Sequence, residues 1–426
     1  MKSNRNWGLV LAIVFVILAA AVVLVLIFNK NQPLETRGLP PLVEIEQMEP
    51  DSEKWAVNFP NQYSSMIMTR NNNTRTTYGG FAQGAELDVG PTQRGPFAGY
   101  LFSKDYREDR GHEHTVTDVN ETLRISDKTT AGCYSCKSAN NPTLWAEMGL
   151  EGYDKMSFEE MKPKIEHPIG CANCHEANTM KLILTNPSVI KGFESQGKDW
   201  TTFTRQEMRS GVCANCHVEY SFQGEDKILT LPWSNGTTIE GVVKFYNDLQ
   251  FADWKYPETD TPIIKMQHPD YELFSAGSTH YNAGVACADC HMPYVRDGSM
   301  KYSSHNIMSP LVENGKACST CHNDTKYVVD RVNIIQDQTW VTMEKCEEAI
   351  IAAIDALKIA TADTGADKAK LDEARQLHRE AQAKWDFIAA ENSMGFHNPT
   401  EALRILASAT DLARQAQIKA MEAVTK

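Results

Sequence analysis

The chain is short of positive charge: 42 Lys and Arg stand against 55 Asp and Glu in 426 residues, a formal −13. That balance excludes nucleic acid or an anionic lipid surface as the main partner. Cysteine is too sparse for a disulfide-stapled miniature domain, at 11 residues in 426, because such scaffolds run above roughly 8%. No fixed period recurs, which argues against a solenoid. Alternation of apolar and polar residues at period two is rare, so little sheet is expected. With 42% hydrophobic residues the chain is not disordered, and its length is ample for two or three units with a sizeable core.

One long apolar run is present. Trp7 to Phe28 are 22 consecutive residues without a charge or polar amide. At about 1.5 Å per residue such a helix crosses a ~30 Å hydrocarbon core. A cleaved signal peptide is the competing reading, with an h-region of about 7–15 residues and a small-residue cleavage site after it. Here the only small cluster, Ala19-Ala20-Ala21, lies inside the run, which favours an uncleaved anchor. Lys2 and Arg5 precede the run, favouring a cytoplasmic N-terminus, and Lys30 weakens the asymmetry. On either reading the remainder is exported. The chain is then anchored in the cytoplasmic membrane, with residues 31–426 on the periplasmic, extracytoplasmic side. That part holds 39 basic and 55 acidic residues, a net −16.

Ten of the cysteines form five C-x-x-C pairs: Cys133/Cys136, Cys171/Cys174, Cys213/Cys216, Cys287/Cys290 and Cys318/Cys321. Exported C-x-x-C is compatible with thiol exchange or zinc, and the residue after each pair separates the readings. Four pairs are followed by histidine, at His175, His217, His291 and His322, although only 12 residues of 426 are His. C-x-x-C-H is the c-type haem attachment motif: two thiols add to the porphyrin vinyl groups and the adjacent imidazole is placed to ligate the iron. The first pair is followed instead by Lys137. In series with four haem motifs it reads as a fifth haem with an amine ligand, which binds once desolvation has removed its proton. Electron-transfer haems are commonly closed on both faces, whereas a catalytic haem keeps one face open. One odd ligand in five therefore points to one haem with a different task.

Eight histidines remain: His112, His114, His167, His268, His280, His305, His378 and His397. Bis-histidine ligation of four haems would take four of them, and sequence alone does not pair them. Residues 31–55 read as a Pro-rich linker. From 56 to 330 the chain is rich in Gly, Pro, Asn and Tyr, with motif starts separated by 38, 42, 74 and 31 residues. Chain wrapped around packed haems suits that irregularity, and the long gap from Cys213 to Cys287 is the place for further function. After about 331 the periodicity turns helical. Met343, Cys346, Ile350, Ala353 and Leu357 form one stripe, and Leu371, Ala374, His378, Ala381, Trp385 and Ile388 a second. Thr364-Gly365 breaks the helices, and Asn398-Pro399 with Glu401 starts the last one. Cys346 reads as an inert core thiol and His378 as a core or interface histidine.

From about Arg110 onward the sequence closely resembles the pentahaem, ammonia-forming cytochrome c nitrite reductases. The resemblance is carried by RGHEHTVTDVNETLR before the C-x-x-C-K motif, CANCHVEY at the third motif, KMQHPDYELFSAGSTH in the long gap and SSHN after the fourth. It implies a mainly α fold: a multihaem cytochrome c with haems in a compact core, little β and long C-terminal helices, here preceded by one transmembrane helix. It implies five covalent haem c, with Lys137 on the active-site haem and Arg124, Tyr220 and His268 lining the face that takes nitrite. Distal ligands by resemblance are His112 for the His217 haem, His305 for His175, His280 for His322 and His397 for His291, leaving His114, His167 and His378 structural. One Ca2+ is implied at the side chains of Glu219 and Gln267 and the carbonyls of Tyr220 and Lys265, an oxygen set that suits a hard cation. The stretch between Arg124 and Cys133 is shorter than the family's, implying a trimmed loop beside that haem.

The expected units are an anchor or signal peptide (1–30), a linker (31–55), a pentahaem catalytic region (56–330) and a helical region serving dimerisation (331–426). The expected partners are nitrite, a haem-bearing membrane quinol dehydrogenase as electron donor, and a second copy of the chain. The competing functions are a pure electron carrier, a related reductase of hydroxylamine or sulfite, and, more remotely, a metal-binding or thiol-exchange protein.

Overall fold

A computed structural model describes residues 14–15, 18–20, 41–80, 95–107 and 110–424. The expected membrane helix at 7–28 lies almost wholly outside the described residues, as does the first part of the linker. Among the described residues no helix is long and apolar enough to cross a membrane.

The region bearing the cysteine motifs is built of short helices: α1 (Thr115–Glu121), α2 (Asn141–Lys155), α3 (Pro187–Ser195), α4 (Arg205–Ala214), α5 (Ile239–Asp248) and α6 (Asp270–Ser275). Among the described residues the strands form four two-stranded antiparallel pairs. These are β1–β2 (Arg75–Thr76 with Gly79–Gly80), β3–β4 (Ser221–Gln223 with Ile228–Thr230), β5–β6 (Trp254–Lys255 with Pro262–Ile263) and β7–β8 (Tyr294–Asp297 with Met300–Ser303). The scarcity of period-two patterning is thus matched by a scarcity of sheet.

Three long helices complete the chain: α7 (Thr325–Ala362), α8 (Lys368–Ala389) and α9 (Pro399–Ala423). Helix α7 starts slightly upstream of residue 331, where Asp324 accepts a hydrogen bond from the Tyr327 amide. Asp367 and Asn398 cap the other two in the same way, with Pro399 in the first turn of α9. Every residue of the two predicted stripes is buried, Cys346 and His378 included. Burial pushes the Cys346 thiol up to about 12, so it is inert at neutral pH. His378 is a core residue whose ring nitrogens face the Thr261 hydroxyl and the Gln382 carbonyl. Helix α9 presents Ala402, Ala409, Ala413, Ala416, Ala420 and Ala423 inward, all buried. Their small side chains let it lie close against both neighbours.

The largest hydrophobic cluster joins Met343, Ile350, Trp385, Ile388 and Leu406 of these helices to Phe97, Val242, Tyr246, Ile263, Met266 and Leu273. Each fully buried large aliphatic or aromatic side chain here contributes about 1.5–3 kcal/mol of transfer free energy. The C-terminal helices are therefore the wall against which the segment 263–273, with His268 in it, is packed.

Candidate haem sites and active site

Each C-x-x-C-H motif folds as one helical turn. The amide of His175 donates to the carbonyl of Cys171 at 3.0 Å, His217 to Cys213 at 2.9 Å, and His322 to Cys318 at 2.8 Å, while Cys287–His291 is itself a helical turn. Residues three and four apart share a helix face, so both thiols and the imidazole of a motif project together. Lys137 departs from this: its amide donates to Tyr134, three residues back, at 2.9 Å. Gly132, just before Cys133, admits the Phe222 ring of β3, since a Cβ there would lie 2.4 Å from that ring. The first motif is thereby seated on the hairpin that follows Tyr220.

The motifs are also bound to one another. Asn173 donates its side-chain amide to the Ser138 carbonyl at 2.9 Å, and Asn215 donates to the Asn173 carbonyl at 3.1 Å. Cys216 lies beside Cys136, and Cys213 beside Cys287, while the Cys136 and Cys213 thiols donate to the carbonyls of Asn215 and Arg209. Burial pushes Cys133 and Cys171 up to about 11 and Cys174 and Cys290 up to about 12, which is unlike the low-pKa thiols of exchange catalysts. Cys136 and Cys287 are the exceptions, lowered by the neighbouring Cys216 and Cys213.

The fifth motif differs from the other four in burial. Cys321 is exposed, whereas the other nine paired cysteines are partly buried. The reason is its place in the fold: the turn Lys316–Thr320 packs on the Cys287–His291 turn and on the start of α7. Residues 319–324, His322 included, are exposed among the described residues. Cys318 of the same pair is partly buried. The helical-turn geometry of the motif is intact at this site, and the chain encloses it least.

Three motif histidines stand opposite a second imidazole. Ring centres are 6.3 Å apart for His175 and His305, 6.3 Å for His291 and His397, and 6.4 Å for His322 and His280. Two imidazoles on opposite faces of one iron, each with a nitrogen roughly 2 Å from the metal, put ring centres about 6 Å apart. The second nitrogens are occupied as such ligation requires. Nδ1 of His175 faces the Met180 carbonyl at 3.0 Å, His291 the Met308 carbonyl at 2.9 Å, and His305 the Ser303 carbonyl at 2.9 Å. Nε2 of each is left for a metal. These residues fit haem.

The remaining motif histidine is His217 of the third motif. Its Nδ1 lies 3.1 Å from Oδ2 of Asp270, and one ring near it is His268, at 6.4 Å. His112 sits half-buried in a short turn after Gly111, whose φ of 88° suits glycine. The hydroxyl of Thr115 donates to the carbonyls of both His112 and Lys137, at 2.9 and 2.7 Å, holding the His112 turn against the first motif. His114 faces the Arg70 carbonyl at 3.1 Å.

Around the first motif, the Arg124 guanidinium lies 4.2 Å over the Phe102 ring and its Nε donates to Thr122. Its positive charge reaches both Tyr220 and Cys133. Burial raises the Tyr220 phenol well above its usual range, and Arg124 opposes that. The phenol is therefore a neutral hydrogen-bond donor at working pH. The short stretch from Arg124 to Cys133 folds as a turn in which Thr129 Oγ1 accepts from the Ser126 amide.

Of the calcium ligands implied by resemblance, Glu219, Gln267 and the Lys265 carbonyl are together. Glu219 Oε2 accepts from the Gln267 amide at 2.6 Å, Oε1 accepts from the Tyr246 hydroxyl at 2.7 Å, and Gln267 Nε2 donates to the Lys265 carbonyl at 3.4 Å. Glu219 is fully buried, and among the described residues no basic side chain forms an ion pair with it. Burial and the neighbouring Glu272 push its carboxyl up. Glu272, also fully buried, accepts from the Glu219 amide and the Trp233 indole and is pushed up to about 8. Two buried carboxylates beside carbonyl oxygens fit a hard cation, which would offset their desolvation.

The sequence assigns no role to several of these residues. Asn173 and Asn215 left one trace, the shared CANCH wording of two motifs. Asp270 and Glu272 lie within KMQHPDYELFSAGSTH and Thr115 within RGHEHTVTDVNETLR, where the segment signals the resemblance and not the individual contacts.

Five C-x-x-C turns tied in series, with imidazoles paired at iron-spanning distance, define a multihaem c-type cytochrome. Residues 51–426 match the family model for cytochrome c552. The cytochrome c-552 of Parabacteroides distasonis is 35% identical over 435 residues, covering 100% of this chain and 87% of that protein. That of Bacteroides thetaiotaomicron is 36% identical over 391 residues, covering 90% and 79%. The solved cytochrome c nitrite reductase of Desulfovibrio desulfuricans, described for the two calcium sites of its catalytic subunit, superposes with a TM-score of 0.85. It is 33% identical, covering 90% of this chain and 88% of that one. The chain belongs to the cytochrome c-552 family.

Proposed function

We propose that this protein is an extracytoplasmic, ammonia-forming nitrite reductase, with its reaction at the motif Cys133-Cys136-Lys137. The observation that carries this reading is the gathering of Arg124 and Tyr220 about the one motif whose ligand position is lysine. Haem, when bound, would supply electron transfer at the four C-x-x-C-H motifs and nitrite binding and reduction at the motif that ends in Lys137. The ten paired cysteines hold five haems. The closeness of Cys136 to Cys216 and of Cys213 to Cys287 brings consecutive haem-attachment motifs together, which supports a continuous electron path.

Conversion of nitrite to ammonium and two waters consumes six electrons and eight protons, so charge and proton supply dominate the site's task. Arg124 binds the anion and stabilises negative charge on its oxygens. Tyr220 and His268 donate protons, and the phenol, kept neutral by burial, holds its proton until it is needed. In this reading His112 is the distal ligand of the His217 haem. Asp270, two residues after His268, faces Nδ1 of His217, so Nε2 of that ring would be the nitrogen available to haem. One Ca2+ at Glu219, Gln267 and the carbonyls of Tyr220 and Lys265 fixes Tyr220 and His268, each of which adjoins a ligand in the chain.

The anchor at residues 7–28 tethers the enzyme, and a haem-bearing membrane quinol dehydrogenase supplies electrons. Residues 56–330 form the catalytic unit and the helices after 331 serve a homodimer. Tyr327, Ile334 and Val341, exposed at seven-residue intervals on α7, support that last assignment. The test is nitrite-dependent oxidation of a reduced viologen with ammonium measured. Six electrons consumed per ammonium formed is the expected result, and oxidation without ammonium overturns the reading.

A further inference from the structure

The carboxylate of Asp270 stands between the rings of two different haem sites. Its Oδ2 is 3.1 Å from Nδ1 of His217, and its Oδ1 is 3.6 Å from Nδ1 of His397. It is buried and held on both oxygens by one residue: the Asn392 amide donates to Oδ1 at 2.7 Å and its side chain to Oδ2 at 2.9 Å. Asn392 follows α8, so the C-terminal helices set the orientation of this acid. The Asp270 amide donates to the His268 carbonyl at 2.8 Å. Glu391 Oε2 is a second carboxylate oxygen near that nitrogen, at 3.3 Å, and both contacts of His397 are electrostatic, without hydrogen-bond geometry, whereas the Nδ1 of His175, His291 and His305 face neutral backbone carbonyls.

An imidazole that donates Nδ1–H to a carboxylate is a stronger ligand through Nε2 than one that donates to a carbonyl. A more basic axial ligand stabilises the ferric state and lowers the reduction potential. We propose that Asp270 is a positioning residue that lowers, through a single negative charge, the potentials of the two haems ligated by His217 and by the His291–His397 pair. It would set those two sites apart from the His175–His305 and His322–His280 sites and adjust them together. This deepens the reading above and rests on His217 and His397 being axial ligands.

The test is potentiometry of the full five-haem protein, followed by EPR and near-infrared magnetic circular dichroism. Asp270→Asn keeps the shape and removes the charge. Two of the five midpoint potentials should then rise, more for the His217 haem than for the His397 haem, which retains Glu391. Glu391→Gln should raise the His397 haem alone. If Asp270→Asn does not load five haems, Asn392→Ala keeps the charge but releases its orientation, and the same two potentials should move by less. Unchanged potentials, or equal movement of all five, overturn the proposal. His397→Ala checks the ligation itself: loss of one bis-histidine signal supports it. If that signal is lost while Asp270→Asn shifts nothing, the ligand reading survives and the role of Asp270 does not.

Discussion

Asn215 donates its side-chain amide to the backbone carbonyl of Asn173 at 3.1 Å, tying the turn of the third motif to that of the second. Asn173 repeats the device toward Ser138, just after the first motif. The residue before the second cysteine of each of these motifs is thus a fastener that sets the spacing of neighbouring haem sites. Asn215→Ala leaves buried carbonyl and amide groups without partners, including the amides of Thr185 and Asn186 that its Oδ1 accepts. A loss of about 1–3 kcal/mol is expected, measured by denaturant unfolding of the haem-loaded protein. Asn173→Ala should cost a similar amount.

Lys265 and Asp386 form a fully buried ion pair at 2.9 Å, with the second carboxylate oxygen accepting from the Met266 amide at 2.7 Å. The ammonium is surrounded by the rings of Phe97, Phe102 and Tyr106. Asp386→Ala strands that charge and should cost about 3–5 kcal/mol. Because the pair anchors the segment leading to His268, KM for nitrite should rise as stability falls. An unchanged denaturation midpoint would refute this.

Asp154 is fully buried, with one oxygen accepting from the Leu229 amide, and burial pushes its carboxyl up to about 6. Between its ordinary value near 4 and about 6 the folded chain binds more protons than the unfolded one, so stability falls as pH rises through that window. At neutral pH this costs about 3 kcal/mol. Asp154→Asn should flatten the slope between pH 4 and 6 and raise Tm at pH 7. A steeper slope in the variant would contradict the assignment.

Lys137→His restores the wording of the other four motifs. It should reduce nitrite turnover about tenfold or more, while the spectra of the four histidine-ligated haems stay as they were, given haem loading verified by pyridine haemochrome. Arg124→Ala and His268→Ala should each lower kcat/KM by about 10²–10³. Undiminished turnover in either alanine variant would sink the site.

If the proposed Ca2+ offsets Glu219 and Glu272, exhaustive chelation should lower Tm by at least ~2 °C and reduce activity together. Added Ca2+ should restore both, whereas Glu219→Gln should make the protein indifferent to chelator. Unchanged activity and Tm after chelation would count against the site.

Local chemistry was the most legible part. The helical stripes through Cys346 and His378, the Asn398 cap and the scarcity of strands all follow from short-range patterns, because periodicity and capping act within a few residues. The C-x-x-C turns are local for the same reason, and their covalent role needs only two thiols and one ligand on one face. Contacts made through space were not legible in the residues themselves. His305 reaches His175, and His397 reaches His291, across more than a hundred residues in each case, and no periodicity encodes that. Nor does the wording of the fifth motif announce that Cys321 lies outward while its counterparts are partly covered, since burial depends on what packs alongside. The resemblance named the histidine pairs, and it did not name the carboxylate of Asp270 between His217 and His397.

The sequence by itself therefore determined the local chemistry of the chain: ten thiols in five C-x-x-C pairs, four imidazoles and one amine beside them, and long helices after them. Only the tertiary structure decided which rings face each other, which turns are fastened together and where the buried charges Glu219, Glu272, Asp270 and Lys265 meet. The physical reason is range. Covalent attachment and helix formation are satisfied by neighbours in the chain, whereas a buried charge or an axial ligand is satisfied by whatever the packed core brings within a few ångströms.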